Sequence, residues 1–80
     1  RPVYVGTLKV QMIAEYRGSE LTGKVLRIEN KGDQSVELTE GMIAPASALA
    51  VSIADSKLTP GKVTTAYLVS QNGSNFQAGR

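Results

Sequence analysis

The sequence predicts a mainly β fold: a small antiparallel β-sandwich or partial barrel with one short N-terminal helix. Three observations carry that expectation. From Lys24 onward, apolar and polar residues alternate over several short runs. Clusters of Gly, Pro, Asn and Asp separate those runs at intervals of roughly 8–12 residues, the spacing of an all-β domain. The one stretch that also fits a helical face comes first, between Thr7 and Gly18.

Taken in order, that first stretch has two readings. Leu8, Val10, Met12, Ala14 and Tyr16 alternate with Lys9, Gln11 and Glu15, as in a strand. Leu8, Met12, Ile13 and Tyr16 also share one helical face, with Thr7 as N-cap, Gly18 just past the end and Arg17 at the negative end of the dipole. Ile13 interrupts the alternation and suits the helix, so a helix is expected over residues 7–17.

The next run, Lys24 to Glu29, places Leu26 and Ile28 on one face and Val25, Arg27 and Glu29 on the other. Asn30-Lys31-Gly32-Asp33 is a tight-turn signal in which Asn and Gly can supply positive φ. Ser35 to Glu40 alternates again with Val36 and Leu38 inward, and the two runs are expected to pair as a hairpin. Ala48 to Ala54 reads as a strand with Leu49, Val51 and Ile53 on one face. Thr59-Pro60-Gly61 is a type I or II turn with Pro in its second position. Val63 to Ser70 is the last strand. Residues 1–70 thus read as one β-rich domain, and residues 71–80 as a flexible linker or tail rich in Gly, Ser, Asn and Gln. A chain that opens on Arg1 and closes on such a tail reads as a section of a longer protein.

Composition excludes more than it identifies. Nine basic residues stand against seven acidic ones, a net charge of +2 spread along the chain, too thin and scattered for a nucleic-acid footprint. There is no Cys, hence no disulfide framework and no thiolate zinc site. No apolar run approaches the roughly 18–20 residues that span a bilayer. With no His, the commonest general base and metal ligand is missing. Ser52 and Lys57 are the nearest nucleophile–base pair, and they read as ordinary surface. Glu37 with Glu40, and Glu15 with Glu20, read as solvated charge rather than paired acids. Phosphate-binding glycine loops and calcium loops are absent from the sequence. Tyr4, Tyr16, Tyr67 and Phe76 are too dispersed for base stacking, and Tyr16 and Tyr67 are expected in the core or at its edge. The expectation is a non-enzyme without cofactor or metal.

Two features favour binding to another protein. The loop Gly41 to Ser47 carries Met42, Ile43 and Pro45 where polar turn residues are usual; they either fold back over the core or present a contact. The segment Leu49 to Ile53 is apolar, uncharged and β-prone, which is hazardous at an open edge and calls for burial or a partner. Met42, Ile43, Pro45, Leu49 and Val51 are therefore the candidate partner-binding residues.

The order and spacing of several of these pieces resemble a known family. Tyr16-Arg17-Gly18, the strand Val25 to Asn30, Leu38 and Glu40, Leu49-Ala50-Val51-Ser52, Leu58-Thr59-Pro60-Gly61 and Tyr67-Leu68-Val69 are similar to the C-terminal domain of TraK-like proteins. These are outer-membrane core subunits of F-type conjugative type IV secretion systems. The similarity spans Tyr16 to Val69, and the sequence departs from the pattern at Met42-Ile43-Ala44-Pro45-Ala46, where a bulkier aromatic and a Pro-Gly turn would be expected. It implies a periplasmic protein associated with the outer membrane, without catalytic residues. It further implies a homo-oligomeric ring with a small lipoprotein of the TraV type and a TraB-like channel subunit. The alternative is an immunoglobulin-like or carbohydrate-binding module of a larger extracellular protein.

Overall fold

The alternation of the central run extends in both directions. In a computed structural model, which describes residues 2–45 and 47–72, it becomes the ten-residue strand β3 (Leu21–Asn30). Around it the chain forms β1 (Val3–Val5), β2 (Leu8–Arg17), β4 (Val36–Glu37), α1 (Glu40–Ile43), β5 (Ala48–Ile53), β6 (Lys57–Leu58) and β7 (Val63–Gln71). Five strands make an antiparallel sheet in the order β1-β2-β3-β7-β5, and β4 pairs with β6 in a second, two-stranded sheet. The fold is mainly β and antiparallel, as expected, and the large sheet does not close into a barrel.

The short helix lies elsewhere than expected. Residues 7–17 form β2 and the preceding turn rather than a helix, and the helical turn is α1 in the Met42 loop. The reason is Ile13. In β2 the register shifts between Met12 and Ala14, so Ile13 is a β-bulge rather than a sign of helical period. Gly6 (φ 61°) and Thr7 form the two-residue loop between β1 and β2, so Thr7 closes a hairpin instead of capping a helix.

The expected hairpin between residues 24–29 and 35–40 is also replaced. β3 pairs with β2 and β7 along its whole length, leaving no edge for the following segment. That segment lies over the sheet face, where Val36 pairs with Leu58. The turn after β3 does not use positive φ, since only Gly6 and Gly61 adopt it among the described residues. Asn30 holds the turn with its side chain instead. Fully buried, its Nδ2 donates to the carbonyls of Gln34 (2.8 Å) and Leu58 (3.0 Å), and its Oδ1 accepts from the Gly32 N–H (2.9 Å). Its backbone N–H donates to the Lys62 carbonyl and its carbonyl accepts from Gly61. At Thr59-Pro60-Gly61-Lys62, Gly61 (φ 82°) and the Lys62 N–H to Thr59 carbonyl bond give the type II geometry.

The core lies between the two sheets. Leu8, Leu26, Ile28 and Ala66 from the large sheet meet Leu38 and Leu58 from the smaller layer, with Val10, Val36, Met42, Ile43 and Ile53 packed around them. Gln71, expected to begin the tail, closes β7, and residues 73–80 of that tail, with Phe76, lie outside the described residues.

Candidate interaction surface

Register fixes which side chains share the face of the large sheet turned away from the core. Leu26 and Ile28 lie on the covered face, so Leu21, Gly23, Val25, Arg27 and Glu29 of the same strand lie on the other. Cross-strand pairing extends two rows from them. Ala14, Val25, Tyr67 and Ser52 face one another across β2, β3, β7 and β5; Tyr16, Gly23, Val69 and Ala50 form the next row. Leu21 sits beyond, opposite Gln71. Tyr16 is 67% exposed, Tyr67 52% and Leu21 45%. A Cβ added at Gly23 would meet nothing within 4 Å, so the second row has an open notch beside Tyr16. The outcome is an uncovered apolar patch with two phenolic rings.

The other end of the same face is charged. Arg27 pairs with Glu29 (3.3 Å) and Lys31 with Glu29 (3.8 Å), while Lys9 and Gln11 lie opposite them on β2. Glu29 is half-buried and its two cationic partners are exposed, so the pairs add little to stability and make a polar margin to the apolar patch.

This placement corrects the expectation for Tyr16 and Tyr67, which are exposed rather than in the core. Uninterrupted alternation would keep Tyr16 in phase with Leu8, Val10 and Met12. The bulge at Ile13 reverses the phase, so Glu15 and Arg17 take the covered side and Tyr16 turns outward. Tyr67 alternates with buried Ala66 and Leu68 and so faces outward with Val69. The two rings were visible in the sequence, but the register that aligns them was not.

The two sheet edges differ. β1 pairs only with Leu8 to Val10 of β2, leaving the outer edge of β2 from Gln11 to Arg17 open, with Met12 and Ile13 exposed beside it. β5 is the opposite edge, and its six residues carry no charge. Exposed apolar edges of this kind can accept a strand by backbone pairing.

The five residues singled out in the sequence do not form one cluster. Met42 and Ile43 are half-buried against the core, from α1, which favours the capping role over contact. Pro45 is exposed beyond the helical turn. Leu49 is the bulged residue of β5 and 57% exposed, whereas Val51 is half-buried opposite Leu68 on the covered face. The face expected to unite Leu49, Val51 and Ile53 is split by that bulge.

Ser52 and Lys57 stand on different sheets, both exposed. Among the described residues no three His, Cys, Asp or Glu are placed to hold a metal ion, and no helix is long and apolar enough to cross a membrane. The arrangement is suited to non-covalent adhesion: two aromatic rings, a small-residue notch, a polar margin and open strand edges. The sequence model of the TraK C-terminal domain matches residues 1–70. No curated protein matches the chain.

Proposed function

The chain belongs to the TraK C-terminal domain family, a structural component of conjugative transfer, and on that premise we propose that it is a subunit of a periplasmic secretion-channel ring at the outer membrane. Its partners are further copies of itself, a lipoprotein of the TraV type and a TraB-like channel subunit. The uncovered patch around Tyr16, Tyr67 and Val69 and the open edges of β2 and β5 supply the contacts. The observation that supports this reading best is the exposure of Tyr16 and Tyr67 together at the apolar end of one sheet face. Solvated surface places rings of this size in water at a cost; covering each contributes on the order of 2 kcal/mol to association.

The domain is small, and its core rests on few large side chains, so assembly with partners also reinforces the fold. Size analysis of the domain with and without a TraV-type lipoprotein tests the proposal. A monomer alone at modest concentration and a defined complex with the lipoprotein are expected. No binding at about 100 μM, corresponding to roughly −5.5 kcal/mol, contradicts it.

A further inference from the structure

Just past β7, Asn72 is clasped to the turn that joins β2 and β3. Its backbone N–H donates to the Glu20 carbonyl (2.7 Å) and its Nδ2 donates to the Gly18 carbonyl (2.8 Å). Its Oδ1 accepts from the hydroxyl of Thr22, itself buried. Gly18 closes the same turn by donating to the Leu21 carbonyl (2.8 Å). Both ends of one carboxamide are therefore engaged by groups far away in sequence, one in the β2–β3 turn and one at the start of β3. The residue that follows Asn72 is Gly73. Glycine has no Cβ to shield its backbone nitrogen, and it lets the chain reach conformations closed to other residues. Those are the conditions under which a backbone nitrogen attacks the preceding asparagine side chain.

We propose that Asn72 is a site of spontaneous covalent modification, deamidation through a succinimide, and that the clasp both restrains the reaction and is weakened by it. The Gly73 backbone nitrogen bonds to Asn72 Cγ, and the Cγ–Nδ2 bond breaks. Nδ2 leaves as ammonia with the proton that the backbone nitrogen gave up. Water then opens the five-membered ring at either carbonyl. One opening gives aspartate; the other gives isoaspartate, in which the main chain runs through Cγ. In sum one water enters, one ammonia leaves, and neutral Asn72 becomes an anion.

Ring closure asks for a carboxamide free to turn about its side-chain bonds, and the bonds to Gly18 and Thr22 hold it in one orientation. The product can rebuild only the bond from the Thr22 hydroxyl, which a carboxylate oxygen still accepts. A carboxylate has no N–H to give the Gly18 carbonyl, and two oxygens facing each other repel. Modification therefore removes the Gly18 tie between the β2–β3 turn and the end of β7, while the Asn72 backbone N–H still donates to the Glu20 carbonyl. That turn borders Tyr16 and Leu21, so the uncovered patch is held less firmly at one end as the protein ages.

The test incubates the folded protein in mildly alkaline buffer at body temperature and follows amide-to-acid conversion by peptide mass spectrometry. Thr22→Val removes the hydroxyl donor while leaving the Asn72–Gly73 pair intact. It is expected to convert several-fold faster than wild type when folded and at the same rate in denaturant. Gly73→Ala is expected to slow conversion several-fold in both states. Equal rates for wild type and folded Thr22→Val overturn the restraint. Asn72→Asp, made directly, tests the consequence without depending on Thr22. Faster hydrogen exchange at the Gly18 and Asn72 amides is expected, and unchanged exchange at both overturns it.

Discussion

Removing the Asn30 side chain should cost this domain a large part of its stability. In Asn30→Ala three hydrogen bonds vanish at once: those to the Gln34 and Leu58 carbonyls and that from the Gly32 N–H. The Leu58 carbonyl is the buried one, and leaving such a group unpaired costs about 1–3 kcal/mol. The other two are only partly buried, so water replaces part of each bond, and losing them costs about 0.5–1.5 kcal/mol apiece. The sum is roughly 2–6 kcal/mol, centred near 4, set against about 4–12 kcal/mol for a domain of this length. Urea unfolding followed by circular dichroism reads it directly. With a slope of about 1 kcal/mol per molar, the midpoint should fall by roughly 4 M at the centre of that range. Asn30→Asp should be worse still at neutral pH. It keeps the acceptor for Gly32 but turns a buried carboxylate toward two carbonyl oxygens. A loss below about 1 kcal/mol for Asn30→Ala, or an Asp variant no worse than the Ala variant, refutes the view that this one side chain ties β3 to the smaller layer.

Further outcomes follow from the same packing. Leu58→Ala empties a fully buried site between the sheets and should cost about 3 kcal/mol in the same unfolding assay. Met42→Asp should destabilise the fold by about 2 kcal/mol, because Met42 packs on the core, while Pro45→Asp should stay within about 0.5 kcal/mol. Gly61→Ala should cost about 1 kcal/mol from conformation alone, since φ is 82° and nothing lies within 4 Å of the added Cβ.

Where local chemistry decides the outcome, the sequence was sufficient. The alternation of Leu26 and Ile28 against Val25, Arg27 and Glu29 placed β3 and both its faces correctly. Thr59-Pro60-Gly61 announced its turn because Pro fixes one φ and Gly frees the next. The candidate surface was less legible, for two physical reasons. A β-bulge inserts one residue and reverses every side chain beyond it, and at Ile13 that insertion mimics the period of a helix. The second reason is long-range pairing. β7 enters between β3 and β5, and that juxtaposition alone puts Tyr67 near Gly23 and Tyr16 on one surface. Asn30 shows the same limit: its sequence context signals a turn, while its role as a buried tie to Leu58 depends on a partner 28 residues away.

The central claim is that the uncovered face of the large sheet is the contact surface. The most direct measurement is the affinity of the Tyr16→Asp/Tyr67→Asp double variant for the TraV-type lipoprotein, with its unfolding curve recorded alongside. Both side chains are exposed, so stability should change by no more than about 1 kcal/mol. Binding should weaken at least about 100-fold, close to 3 kcal/mol. A variant that folds as wild type and binds with unchanged affinity contradicts the claim.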